Sequence, residues 1–191
     1  MPRLDEIMRE RTRPLLMGIV NVTGDSFSEG GASSPATAVD RALALLDEGA
    51  DLLDIGGEST RPGAAVIPAD EESLRVVPVL RELRKLRPSA ILSVDTRKAG
   101  VARAALDCGV DMINDVSMLR FSPDMADVVA ASDAALIIAH SRGTPQNMRN
   151  SEFHDYGDDP VAAVVAELAG AKAKALAAGV DLGTLYGELT T

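Results

Sequence analysis

The chain has one cysteine, no tryptophan, two tyrosines and three phenylalanines among its 191 residues. A single thiol, Cys108, excludes an intramolecular disulfide and fits a reducing compartment. It follows an alanine-rich helical stretch, where a buried structural thiol is expected rather than a nucleophile. Aromatic content of 3% leaves too few flat side chains for a base-stacking surface. Cations are scarce too: 19 Lys and Arg stand against 29 Asp and Glu, a formal net charge of −10. Such a surface repels polyanions, which argues against nonspecific nucleic-acid binding. No apolar run approaches the roughly 20 residues of a membrane span. The opening stretch MPRLDEIMRERTRP mixes charges of both signs without an apolar centre. It does not read as a secretory signal, and residues 1–13 are expected to form an N-terminal extension. A cytoplasmic protein with no membrane or nucleic-acid partner is the expectation. The shortage of cations sets one condition: an anionic substrate must be met by local arginines, backbone amides or a divalent cation.

Apolar residues are plentiful at 46%, enough for a sizeable core. The length fits one domain, residues 1–191. A unit recurs in DEGADLLDIGG, DCGVDMINDVS and AAGVDLGTLYG. Each has a helix end, a glycine (Gly49, Gly109, Gly179), a small apolar residue, an aspartate and an apolar run. Glycine just past a helix supplies the left-handed conformation that ends it, and a strand follows. Strands are expected near 15–21, 52–55, 90–95, 112–115 and 134–140. Helices are expected near 36–48, 70–86, 97–107, 123–131 and 160–178. Ser122-Pro123 and Asp159-Pro160 read as capped helix starts. Pro78 should kink the second helix or mark its true start. Strict alternation of strand and helix means a parallel sheet with right-handed crossovers. An open doubly wound sheet is weakened by the lack of G-x-G-x-x-G after the first strand. The expected fold is therefore α/β, a parallel barrel.

The strands end in polar groups at Asn21, Asp95, Asn114 and His140, and the run LLDIGGESTRPG (52–63) delivers Asp54, Thr60, Arg61 and Pro62. Parallel strands that deliver polar groups at their C-terminal ends point to one shared pocket there. Buried carboxylate and carboxamide groups at strand ends would be costly if left unpaired. On the bland alternative, Asp95 caps the helix after it, Asn114 ties down a loop, Asp54 anchors the glycine turn and Asn21 starts one. Arg61 could grip a phosphate bidentately or be a solvated surface cation. Segment 22–31, with Phe27, is glycine-rich and could close over a ligand and exclude water. His140 reads equally as a pocket floor and as a structural histidine. The cluster His154, Asp155, Asp158 and Asp159 matches no metal-ligand spacing, and a helix start there needs acidic caps.

Five segments together resemble dihydropteroate synthase: MGIVNVTGDSFSEGG (17–31), DIGGESTRPGA (54–64), SVDTRKAGVARAAL (93–106), INDVS (113–117) and HSRGTPQNM (140–148). The resemblance covers roughly residues 15–180. It implies a (β/α)8 TIM barrel and a transferase of folate biosynthesis. That enzyme condenses 6-hydroxymethyl-7,8-dihydropterin diphosphate with p-aminobenzoate, giving 7,8-dihydropteroate and pyrophosphate with Mg²⁺, and it is a sulfonamide target. Carried over, the resemblance implies catalytic roles for Asn21, Arg61 and Asp95. It implies pterin diphosphate binding by Asp54, Thr60, Arg61, Asp95 and Asn114. Phe27, Thr60 and Pro62 would face p-aminobenzoate, Asn21 would meet Mg²⁺, and His140 and Arg142 are candidate pocket residues. The segment departs from the family where proline commonly stands at Gly24 and methionine at Ser141.

Beyond about Val180 the resemblance stops, where the family would supply a further pterin carboxylate, a lysine and an arginine–histidine pair. The expectation is an incomplete barrel of about five βα units, truncated at its C-terminus, with exposed sheet edges and impaired turnover. A homodimer is among the expected assemblies. Two other readings stand beside the synthase: a catalytically impaired pterin-binding fragment, and a methyltetrahydrofolate-binding methyltransferase relative. The loops STRPGA and DSFSEGG disfavour the last, because they suit a diphosphate and an arylamine.

Overall fold

The computed structural model describes residues 13–22 and 34–189. The elements are β1 (Met17–Asn21), α1 (Pro35–Asp47), β2 (Leu52–Gly56), α2 (Ala69–Leu86), β3 (Ile91–Asp95), α3 (Ala99–Leu106), β4 (Met112–Asp115), α4 (Met125–Ala130), β5 (Ala135–His140), α5 (Pro160–Ala177) and β6 (Leu185–Leu189). All six strands are parallel and lie in the order β1-β2-β3-β4-β5-β6. A sheet that adds each strand to the same side is singly wound, the pattern of a barrel rather than of an open dinucleotide-binding sheet.

Period-2 alternation splits the strand residues between two faces. Val20, Leu53, Ile55, Leu92, Val94, Ile113, Leu136 and Ile138 pack with the helices in the main apolar core. Their neighbours face inward, where Leu52, Met112, Ala135 and Ile137 form a smaller cluster. Met17, Ile91 and Tyr186 pack against it. The helices supply α1 Ala38, Val39 and Ala42, and α2 Val76, Val79, Leu80 and Leu83, to the outer core. The inward face stays thin by comparison, and Ile19 on β1 is 63% exposed.

Helix starts follow local chemistry. Ser34 caps α1 by accepting from the Thr37 amide, and Asp159 caps α5 by accepting from the Ala162 amide, each with proline next. Ser122 behaves differently from expectation. Its hydroxyl accepts the Ala99 amide at 3.2 Å, so it serves α3, and α4 begins only at Met125. Helix α2 runs unbroken through Pro78. The carbonyl that a proline leaves unpaired four residues back belongs to Leu74, which lies on the exposed side of the helix.

The sixth strand corrects the expectation of five. The stretch DLGTLYGEL carries glycines and a glutamate that hide any strand pattern. What creates β6 is a turn and a neighbour. Asp181 accepts the Gly183 amide at 2.7 Å and its carbonyl accepts the Thr184 amide at 3.0 Å. The chain then enters register with β5 from Leu136↔Leu185 to His140↔Leu189. The expected N-terminal extension falls almost wholly outside the described residues.

Candidate functional site

The register of the sheet sets the site. Asn21, Gly56, Asp95 and Asn114 are direct lateral neighbours on β1, β2, β3 and β4, at the C-terminal ends of the strands. One layer deeper, Asp54 is paired with Ser93. Asn114 donates from Nδ2 to Asp54 Oδ2 at 3.1 Å, joining the layers. Five polar side chains and one bare glycine therefore share the inward face, as expected of strands that deliver a pocket.

Burial makes this group electrostatically unusual. Asp54 and Asn114 are 4% and 5% exposed. Burial pushes the Asp54 carboxyl above its ordinary value, and the Ser93 hydroxyl and Asn114 amide only partly oppose it. Asp54 Oδ1, Ser93 Oγ and Asn114 Oδ1 are buried without a well-formed hydrogen-bond partner. Such atoms are costly in a folded protein, and a ligand or an ordered water can supply the missing partner. Asp95 and Asn21 are half-buried at the rim of the same layer.

The loop after β2 carries Thr60, Arg61 and Pro62, all exposed. Arg61 forms no ion pair among the described residues. The loop is fixed at both ends. At its root, Glu58 Oε1 accepts the Ile67 amide at 3.0 Å, while Oε2 accepts Arg97 Nε at 2.9 Å and lies 2.9 Å from Lys98 Nζ. Lys98 also bonds Glu72 of α2. Arg97 stacks over Phe121, 4.3 Å from the ring centre. Burial alone would raise the Glu58 carboxyl, but Arg97, the Ile67 amide and Lys98 outweigh it and hold it below its ordinary value. At its tip, the Gly63 amide donates to the Pro145 carbonyl at 2.7 Å, and Gln146 Nε2 donates to the Ala64 carbonyl at 2.7 Å. The loops after β2 and β5 are thereby strapped together at the C-terminal end of the sheet.

His140 and Arg142 belong to another cluster. By parity His140 faces the helices, and its Nε2 lies 3.2 Å from Glu167 Oε2 of α5. Glu167 also accepts from Arg142 Nε at 2.8 Å and Arg120 at 3.1 Å. Arg142 covers Tyr156 at 3.8 Å and reaches the Asp155 carbonyl. The structural reading of His140 is the one this geometry supports. Near it, His154 meets the Met148 carbonyl and Asp155 accepts the Gly157 amide, both serving turns.

Phe27 and the glycine-rich segment lie outside the described residues. Asn21, Asp54, Asp95 and Asn114 are brought together, and Thr60, Arg61 and Pro62 stand on the strapped loop at the same end. Sequence reasoning passed over Ser93 and Gly56, although both sit at the inward parity of Asp54 and Asp95. It also missed the network of Glu58, Glu72, Arg97 and Lys98, whose members lie in separate elements and show no shared spacing.

The sequence pattern of the family described as pterin binding enzymes matches residues 17–185. The chain belongs to that family. A dihydropteroate synthase of Synechocystis is 43% identical over 178 residues, covering 93% of this chain and 57% of that protein. Among solved structures, the Yersinia pestis dihydropteroate synthase with a sulfonamide drug is 38% identical with a TM-score of 0.84, covering 93% of this chain and 63% of that one. The Xanthomonas albilineans dihydropteroate synthase with 4-aminobenzoic acid is 45% identical with a TM-score of 0.80, covering 92% and 61%. The chain thus spans about three-fifths of the relatives it matches. The inward layer sits where a TIM-barrel enzyme of this family carries its chemistry, at the C-terminal face of the strands. Among the described residues, no helix is long and apolar enough to cross a membrane.

Proposed function

We propose that this chain carries a dihydropteroate synthase site, in which p-aminobenzoate displaces pyrophosphate from 6-hydroxymethyl-7,8-dihydropterin diphosphate. The observation that carries this reading is the buried pair Asp54–Asn114, with Asp54 Oδ1, Ser93 Oγ and Asn114 Oδ1 on one inward face and lacking a well-formed hydrogen bond. A pterin has an amino-pyrimidinone edge that offers N–H donors and an acceptor side by side, which would fill such sites. Asp95, in the same row as Asn114, would hold a second edge of the ring.

The reaction forms one bond and breaks one. The arylamine nitrogen attacks the exocyclic methylene, the carbon–oxygen bond to diphosphate breaks, and the proton on nitrogen passes to solvent. Binding both reactants in line provides most of what such a displacement needs. Arg61, exposed on the strapped loop and without an ion pair among the described residues, would meet the charge that grows on the leaving group, with Thr60 adding a hydroxyl donor. Pro62 and Phe27 would flank the arylamine. Asn21 Oδ1, at the rim of this row, is a neutral oxygen donor of the kind Mg²⁺ takes together with phosphate oxygens. Asn21 would be its protein ligand, and Mg²⁺ when bound supplies charge neutralisation for the departing diphosphate. Work in a reducing cytoplasm suits the single thiol, and a homodimer is part of this reading.

The test is arylamine-dependent release of pyrophosphate from dihydropterin diphosphate, followed with a coupled pyrophosphate assay. The proposal expects release that requires p-aminobenzoate and is lost in Asp95→Asn. Release that ignores p-aminobenzoate, or none at all, would overturn the activity.

A further inference from the structure

Gly56 ends β2 and Gly57 follows it, and the structure gives these adjacent glycines opposite surroundings. A methyl group on Gly57 would come within 2.9 Å of both Glu72 Cγ and Val76 Cγ1, and 3.2 Å of the Glu72 carbonyl oxygen. That is the contact surface with α2, so Gly57 is bare because the helix packs directly on the strand end. Gly56 is different. A methyl group there would lie 3.5 Å from Asn21 Oδ1, 3.5 Å from Asp95 Oδ2 and 3.6 Å from Asp95 Cβ. These are ordinary van der Waals separations, and the backbone of Gly56 needs no left-handed conformation. Nothing in the fold itself therefore demands glycine at this position.

What glycine leaves there is space. Gly56 stands in register between Asn21 and Asp95, so its missing side chain opens a slot flanked by an amide oxygen and a carboxylate oxygen. We infer that Gly56 is a specificity-determining position at which the bound ligand comes closest to the sheet. The inference rests on the proposed function: Asn21 serves the diphosphate side and Asp95 the heterocycle side. The slot between them then receives the joint of the substrate, the exocyclic methylene that links ring to diphosphate. A side chain at residue 56 competes with that methylene for space while leaving both flanking groups in place. The ligand class selected is a flat heterocycle whose anionic group hangs from a one-carbon arm.

Paired variants test this. Gly56→Ala and Gly57→Ala would be compared with the parent chain by circular dichroism melting. Each would then be titrated calorimetrically with dihydropterin diphosphate plus Mg²⁺, and with 6-hydroxymethylpterin, which lacks the diphosphate. The expected result for Gly56→Ala is an unchanged melting temperature and at least about tenfold weaker binding of the diphosphate ligand, as overpacking a close contact implies. Binding of 6-hydroxymethylpterin should fall less than about threefold, because it can shift its arm. Gly57→Ala should melt at a lower temperature. Parent-like binding of the diphosphate ligand by Gly56→Ala would overturn the inference with the proposed function intact. Equal loss of both ligands would overturn the placement of the joint, and so would unfolding of Gly56→Ala. Failure of the parent to bind either ligand would instead overturn the functional reading on which the inference stands.

Discussion

Lysine 98 is the best place to test the physical account of how the loop after β2 is held. Its ammonium group sits between two carboxylates, 2.9 Å from Glu58 Oε2 and bonded to Glu72 Oε2. The side chains of Lys98, Glu58 and Glu72 are 7%, 6% and 1% exposed, so water can replace none of them cheaply. Lys98→Met removes the charge and keeps most of the volume. Glu58 then retains Arg97 and the Ile67 amide. Glu72 loses its ion pair, and its Oε1 already lacks a hydrogen bond. Breaking a buried pair from one side costs about 3–5 kcal/mol. Against a total stability of roughly 5–15 kcal/mol, that is a large fraction. The measurement is chemical denaturation at neutral pH followed by circular dichroism, with the slope checked for constancy. Replacing both partners, Lys98→Met with Glu72→Met, should recover more than half of the loss, since an apolar pair needs no counter-charge. A loss below about 1 kcal/mol in the single variant would refute the reasoning. So would a double variant whose loss equals or exceeds the sum of the two singles.

Other expectations follow from the same charges. Asp54 is raised above its ordinary value by burial, so the folded state holds its proton more tightly than the unfolded chain does. Its contribution to stability is present at low pH and falls as pH rises from about 3.8 through the raised folded value. Asp54→Asn should therefore melt higher than the parent at pH 7 and show no advantage at pH 3. A variant that melts lower at pH 7 would count against this. Glu58 runs the other way, because its folded value is lowered: its contribution is present above about 4.5 and is lost as pH falls through the folded value. Glu58→Gln should flatten the acid limb of the melting profile, and an unchanged limb would contradict the assignment. Glu167→Ala removes the shared acceptor of Arg120, His140 and Arg142. Amide exchange should quicken across residues 141–157 while the strands stay protected, and uniform protection would show that the cluster holds nothing.

Much of this fold could be read from residues because each signal was local. Glycine after a helix, a capping side chain before proline and short apolar runs marked five strands and five helices within a few residues. The sixth strand had no such signal: Gly187 and Glu188 break its pattern, and only pairing with β5 makes it a strand. The shared row was legible where it ends strands, since bringing Asn21, Asp95 and Asn114 together needed only the rule that parallel strands end on one face. His140 also ends a strand, yet its parity turns it toward α5, and parity depends on exact register. Ser122 illustrates the same limit, because its neighbour in space is Ala99 rather than the helix it precedes. The network of Glu58, Glu72, Arg97 and Lys98 could not be read at all. Charged residues in a sequence look solvated until the fold packs them together.

On the proposed function, the inward row Asn21, Gly56, Asp95 and Asn114, with Asp54 beneath it, is a pterin diphosphate site. Calorimetric titration of the chain with 6-hydroxymethyl-7,8-dihydropterin diphosphate and Mg²⁺, beside an Asp95→Asn control, tests it most directly. The expected result is saturable binding at one site per chain that the control loses. A folded, helical sample that takes up no ligand, or a control that binds as well as the parent, would contradict it.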